Sequence, residues 1–137
     1  MFKTVLFPID RSRESRHAVD VVTDLVKKYD SRLIILSVVE ETSAESETAV
    51  PEVMSSAETV EKLLKGAQAL FVEKGIQAEI MEREGMPSFT ICDVADELDA
   101  NLIIMGSRGM GLTEEGAAES VTNRVINLSP CPVLVVP

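Results

Sequence analysis

Two rhythms of apolar residues alternate along the chain. Val5-Leu6-Phe7-Pro8-Ile9, Leu33 to Val39, Leu102-Ile103-Ile104-Met105 and Val133-Leu134-Val135-Val136 are short, nearly continuous apolar runs. The second is too continuous to be half exposed, as expected of a parallel strand covered on both faces. Between the runs lie stripes at helical spacing: Ala18, Val21, Val22, Leu25 and Tyr29; Val60, Leu63, Leu64, Ala67 and Phe71; Ile91, Val94, Ala95 and Leu98; and Val121, Val125 and Leu128. Ser12 offers an N-cap to the first helix, and Gly75 is placed to stop the second. From Ile76 to Arg83, apolar Ile76, Ala78 and Ile80 alternate with polar neighbours, which predicts a strand nearer a sheet edge. Gly85-Met86-Pro87 turns the chain into the third helix, and Pro130-Cys131-Pro132 ends the fourth.

Strands alternating with helices over the whole length predict one α/β domain, residues 1–137, built on a parallel sheet with right-handed crossovers. Ligands of such sheets sit beyond the carboxyl ends of the strands, where the strand order reverses, so Asp10, Val39 and the segment at Gly106 are expected on one rim. The interval Glu40 to Glu58 holds six Glu and no Lys or Arg. It lacks a helical stripe until its end and is expected to be a mobile acidic loop without a function of its own.

Composition narrows the partners. The chain has 137 residues, 45% of them hydrophobic, enough for a core without disulfides or a structural metal. Thirteen basic against 23 acidic residues give a formal charge of −10, which repels nucleic acid and anionic lipid. Cys92 and Cys131 show no C-x-x-C spacing and read as small core hydrophobes. The N-terminus enters a strand pattern at once, and no apolar run approaches the ~20 residues needed to span a bilayer, so a cytoplasmic protein is expected.

Candidate chemistry gathers late in the chain. Met105-Gly106-Ser107-Arg108-Gly109 follows a buried-strand pattern, and Glu119-Ser120-Val121 comes where a helical pattern starts. Backbone N–H groups and the helix dipole collect anions at such a junction. Each residue also has a plainer role: Asp10 and Ser120 as helix caps, Gly106 and Gly109 as shapers of a turn, Arg108 as a solvated side chain. His17, the one histidine, has no partner for metal or base chemistry. No Ser-His-Asp set, H-E-x-x-H or P-loop lysine is present, so no enzyme is predicted, leaving at most a weak ATPase activity.

Phe7-Pro8-Ile9-Asp10 with Ser12, Ile103 to Gly109, and Pro132 to Val136, taken in this order, resemble the universal stress protein family over essentially the full length. The resemblance implies a Rossmann-like sandwich: a five-stranded parallel sheet of order 3-2-1-4-5 with helices on both faces. Nucleotide-binding members carry Gly-x2-Gly-x9-Gly-Ser/Thr, matched here by Gly106, Gly109 and Ser120, with Glu119 in place of the third glycine. It further implies adenine against Pro8, Ile9 and the backbone of Val38, with Met105 lining the pocket by position. Asp10 would reach the adenosine, and Gly106, Arg108, Gly109, Ser120 and the N–H of Val121 the phosphates. The implied ligand is AMP, cyclic AMP or ATP, with Mg or Mn only beside a triphosphate.

Two functions compete. One is a cytoplasmic regulatory protein that senses adenine nucleotide, prefers a short phosphate tail because of Glu119, and signals to an unknown downstream protein in a stress response. The other is a nucleotide-free interaction module whose site Glu119 closes. Both fit a homodimer through the apolar strand Val133 to Val136, an uncovered edge in the implied order.

Overall fold

A computed structural model describes residues 2–9, 14–39, 50–106 and 117–136. Its strands are β1 (Thr4–Pro8), β2 (Arg32–Val39), β3 (Ala78–Glu84), β4 (Leu102–Gly106) and β5 (Val133–Val136). The helices are α1 (Glu14–Tyr29), α2 (Val50–Glu73), α3 (Pro87–Glu97) and α4 (Ala117–Leu128). All strand pairs are parallel and the order is β3-β2-β1-β4-β5, as the family resemblance implies.

Burial on both faces explains the apolar runs. Val5, Phe7, Leu33, Ile35, Leu102 and Ile104 point into one core with Ala18, Val19, Val22 and Val26 of α1 and Val60, Leu64 and Phe71 of α2. The residues between them, Leu6, Ile34, Leu36, Ile103 and Met105, enter a second core with Ile91, Cys92, Val94 and Ala95 of α3 and Val125 of α4. Side chains alternate across a strand, so a one-residue slip would exchange the two cores. In the first core the Phe7 and Phe71 rings meet edge to face, 6.1 Å apart.

The helix stops set the strand starts. At the end of α2, Gly75 has φ +82°, its N–H donates to Val72 O at 2.9 Å, and Ile76 N–H donates to Phe71 O at 2.8 Å. This paired cap, with Ile76 and Phe71 in one core, uses Ile76 as the closing residue of the helix. The strand expected from Ile76 therefore begins at Ala78. Asp30 and Asp99, at φ 52° and 57°, end α1 and α3 likewise: Ser31 N–H donates to Val26 O and Ala100 N–H to Ala95 O. Aspartate tolerates this left-handed geometry better than most residues.

One expectation is corrected. The backbone of Val50 to Glu58 belongs to α2, so the acidic interval is not a loop to its end; residues 40–49 lie outside the described residues. A 24-residue helix needs no apolar stripe in its first turns when its later turns carry the packing through Val60, Leu64 and Phe71.

The foot of the sheet is tied by polar groups. Arg32 Nε and Nη2 donate to the Glu79 carboxylate at 2.5 and 2.9 Å, joining β2 to β3, and Thr4 N–H donates to Asn101 Oδ1 at 2.9 Å. Hydrogen bonding to Arg32 lowers the Glu79 pKa, but the pair is exposed and holds register more than it stabilises.

The shared Phe7–Phe71 contact gives a direct test. Phe71→Ala empties a fully buried site and is expected to cost about 3–5 kcal/mol in urea unfolding. A loss below about 1 kcal/mol would show that α2 does not anchor the first core.

Candidate functional site

Order reverses between β1 and β4, since β2 and β3 lie to one side of β1 and β5 beyond β4. At the carboxyl ends of these strands stand Pro8, Val38, Val39, Met105 and Gly106, the rim on which the sequence places a ligand. The ladders align its height: Pro8 lies opposite Leu36, Val38 opposite Arg83, and Gly106 opposite Val136.

The expected site residues divide by face. Val38, Met105 and Val121 pack against the core under α3 and α4, and Val38 and Val121 remain half-buried. Pro8 is half-buried at the end of β1. Ile9 packs into the opposite core, is only 8% exposed, and spends its N–H on Leu36 O at 2.8 Å. It works as a continuation of β1 and has little surface left for a ligand. Gly106 stands in strand as the last residue of β4, so its missing side chain gives close approach to the backbone. Asp10, Arg108 and Gly109, with Ser12, lie outside the described residues.

The start of α4 differs from expectation. The helix is under way by Ala117, which puts Glu119, Ser120 and Val121 inside it, and Ser120 does not open it. In an α-helix begun there, the Val121 N–H faces the Ala117 carbonyl one turn back. The phosphate donor implied at Val121 is thus already engaged.

Thr122 was not picked out by the sequence pattern. It is 6% exposed, and its Oγ1 donates to Gly106 O at 3.5 Å, linking α4 to the end of β4. The available signal was its spacing, three residues before fully buried Val125 on the same helix face.

The cysteines behave as core hydrophobes. Both thiols are free and both adjoin the core under α3 and α4. Burial pushes each pKa up, and for Cys92 the charge of Asp93 and the neighbouring Cys131 add to it. Thiolate chemistry is disfavoured there. Among the described residues no group of three or more His, Cys, Asp or Glu could hold a metal ion, and no helix is long and apolar enough to cross a membrane.

A parallel α/β sheet with an open rim at its switch point defines a class of ligand-binding folds. A profile of the Universal stress protein family matches residues 1–137. Universal stress protein Sll1654 from Synechocystis sp. is 63% identical over 137 residues, covering 100% of this chain and 87% of the relative. Among solved structures, hypothetical protein MJ0577 superposes with a TM-score of 0.86 at 28% identity, covering 99% of this chain and 96% of that one. A universal stress protein in complex with cAMP superposes with a TM-score of 0.78 at 25% identity, covering 99% and 97%. The chain belongs to the universal stress protein family.

Proposed function

We propose that this protein binds an adenine nucleotide at the rim between β1 and β4 and acts as a regulatory protein, passing the bound state to a protein partner in a stress response. The observation that carries the reading is the convergence of Pro8, Val38, Met105 and Gly106 at the switch point, from strands far apart in sequence. The similar chain solved with cAMP supports the ligand class. In this reading Pro8 and Val38 form the apolar seat of the base, Met105, 7% exposed, backs it from the core, and Asp10 accepts a hydrogen bond from the adenosine. Gly106, Arg108, Gly109, Ser120 and Val121 surround the phosphates. A phosphate using the Val121 N–H must displace the Ala117 carbonyl, after which Ser120 becomes the residue that opens α4. Mg or Mn enters only with a triphosphate, whose charge it would share.

Native mass spectrometry of the purified protein tests the reading. Co-purified AMP, cyclic AMP or ATP is the expected result. Protein that carries none, and takes up none when each is added at millimolar concentration, is instead the nucleotide-free interaction module. Within the nucleotide reading, Asp10→Ala removes a charge-assisted hydrogen bond worth roughly 1.5–3 kcal/mol, about ten- to a hundredfold in affinity. Calorimetry giving equal affinities for mutant and wild type would leave Asp10 as a helix cap.

Glu119 sets the length of the phosphate tail. Two unit charges ~4 Å apart repel by roughly 4 kcal/mol at an effective dielectric of ~20, and exposure at the mouth reduces this to about 1–2 kcal/mol. AMP and cyclic AMP are therefore favoured over ATP by about tenfold. Glu119→Gly should raise ATP affinity well above any gain for AMP, with the gain shrinking as salt rises. Equal ATP and AMP affinities, unchanged by the mutation, would refute that selectivity.

The homodimer is also part of the proposal. Among the described residues β5 pairs with β4 alone, and Val133, Leu134 and Val135 are half-buried along its length. Pairing of two such strands about a two-fold would cover them. Val135→Lys places a charge in that contact, and sedimentation should then find monomer; an intact dimer would move the interface elsewhere.

A further inference from the structure

We propose that Thr122 is a positioning residue for the phosphate end of the nucleotide pocket, an inference that rests on the nucleotide reading above. The buried threonine hydroxyl joins two elements that the site needs at a fixed spacing: the last residue of β4 and the first turns of α4. Threonine inside a helix commonly turns its hydroxyl back to a carbonyl of the preceding turn. The Thr122 hydroxyl also reaches across the fold to Gly106 O, 16 residues away in sequence.

Apolar contacts also hold this junction. Val121 and fully buried Val125 hold α4 against the core shared with Met105 and Ile103. Apolar contact is non-directional and leaves the height of a helix along a strand weakly defined. A hydroxyl donating to a carbonyl has a direction, so even a long contact of this kind biases that height. In the nucleotide reading the phosphates lie between the end of β4 at Gly106 and the start of α4, the two elements that the Thr122 contact joins. At 3.5 Å the bond is long, and its contribution to global stability is correspondingly small. Its loss should therefore appear at the phosphate end while the base end, held by Pro8 and Val38, stays intact.

Calorimetry on the full chain, comparing AMP with adenosine, isolates this role. Thr122→Val keeps the volume and removes the donor; its AMP affinity is expected to fall roughly three- to tenfold while adenosine affinity stays within about twofold. Thr122→Ser restores a hydroxyl and should recover AMP binding. Equal loss of AMP and adenosine, or no loss of either, overturns the positioning role and leaves the nucleotide reading standing. Wild-type protein that binds neither AMP nor adenosine overturns the nucleotide reading and this role with it. If Thr122→Val does not fold, the AMP-to-adenosine ratio of Thr122→Ala decides by the same criteria.

Discussion

Two-sided burial of the three central strands is the constraint on which the rest depends. β1, β2 and β4 can offer no polar side chain to either face without burying an unpaired group, so nearly all their side chains are apolar and their polar bonding is done by the backbone ladder. Ser37 of β2, 4% exposed, is the exception within the runs. Polar chemistry is thereby expelled to the strand ends. Parallel strands gather their carboxyl ends on one side, and a reversal of order opens a crevice there. The location of the candidate site follows from the packing of the sheet before any ligand is considered.

Much of this was legible in the sequence, for reasons visible in particular residues. Leu33 to Leu36 read as a buried strand because every position is aliphatic, and Ala18, Val22 and Leu25 as a helix because they recur at helical spacing. What escaped was set by backbone geometry. Asp30 and Asp99 end helices in the left-handed conformation, a role that glycine advertises at Gly75 and aspartate does not. The first turns of α2 and α4 were missed because their residues do not repeat an apolar stripe, and the helices extend beyond the turns that pack.

Of the candidate site, the gathering of residues at one rim was legible in the sequence, and the face each one takes was less so. Pro8, Val38, Met105 and Gly106 do converge, yet Ile9 is drawn into the opposite core by the alternation of β1 and its continuation. Period-two geometry, not chemistry, decides which of two neighbouring residues can face a ligand. Thr122 escaped for the complementary reason: a threonine in a helical pattern has no distinguishing mark until its acceptor across the fold is known.

The two outer strands of the sheet are unlike. β5 ends the sheet with Val133, Leu134, Val135 and Val136, whereas β3 ends it with Glu79, Glu82, Arg83 and Glu84. Arg83 is further drawn away toward Glu97 of α3, at 3.1 Å. Charges of mostly one sign make the β3 edge repel its own copies. A sheet adhesive along both borders could add subunits without end and grow into a fibre. With one border charged, pairing through β5 as proposed would give the molecule a valence of one along the sheet, and growth in that direction would stop after a single addition.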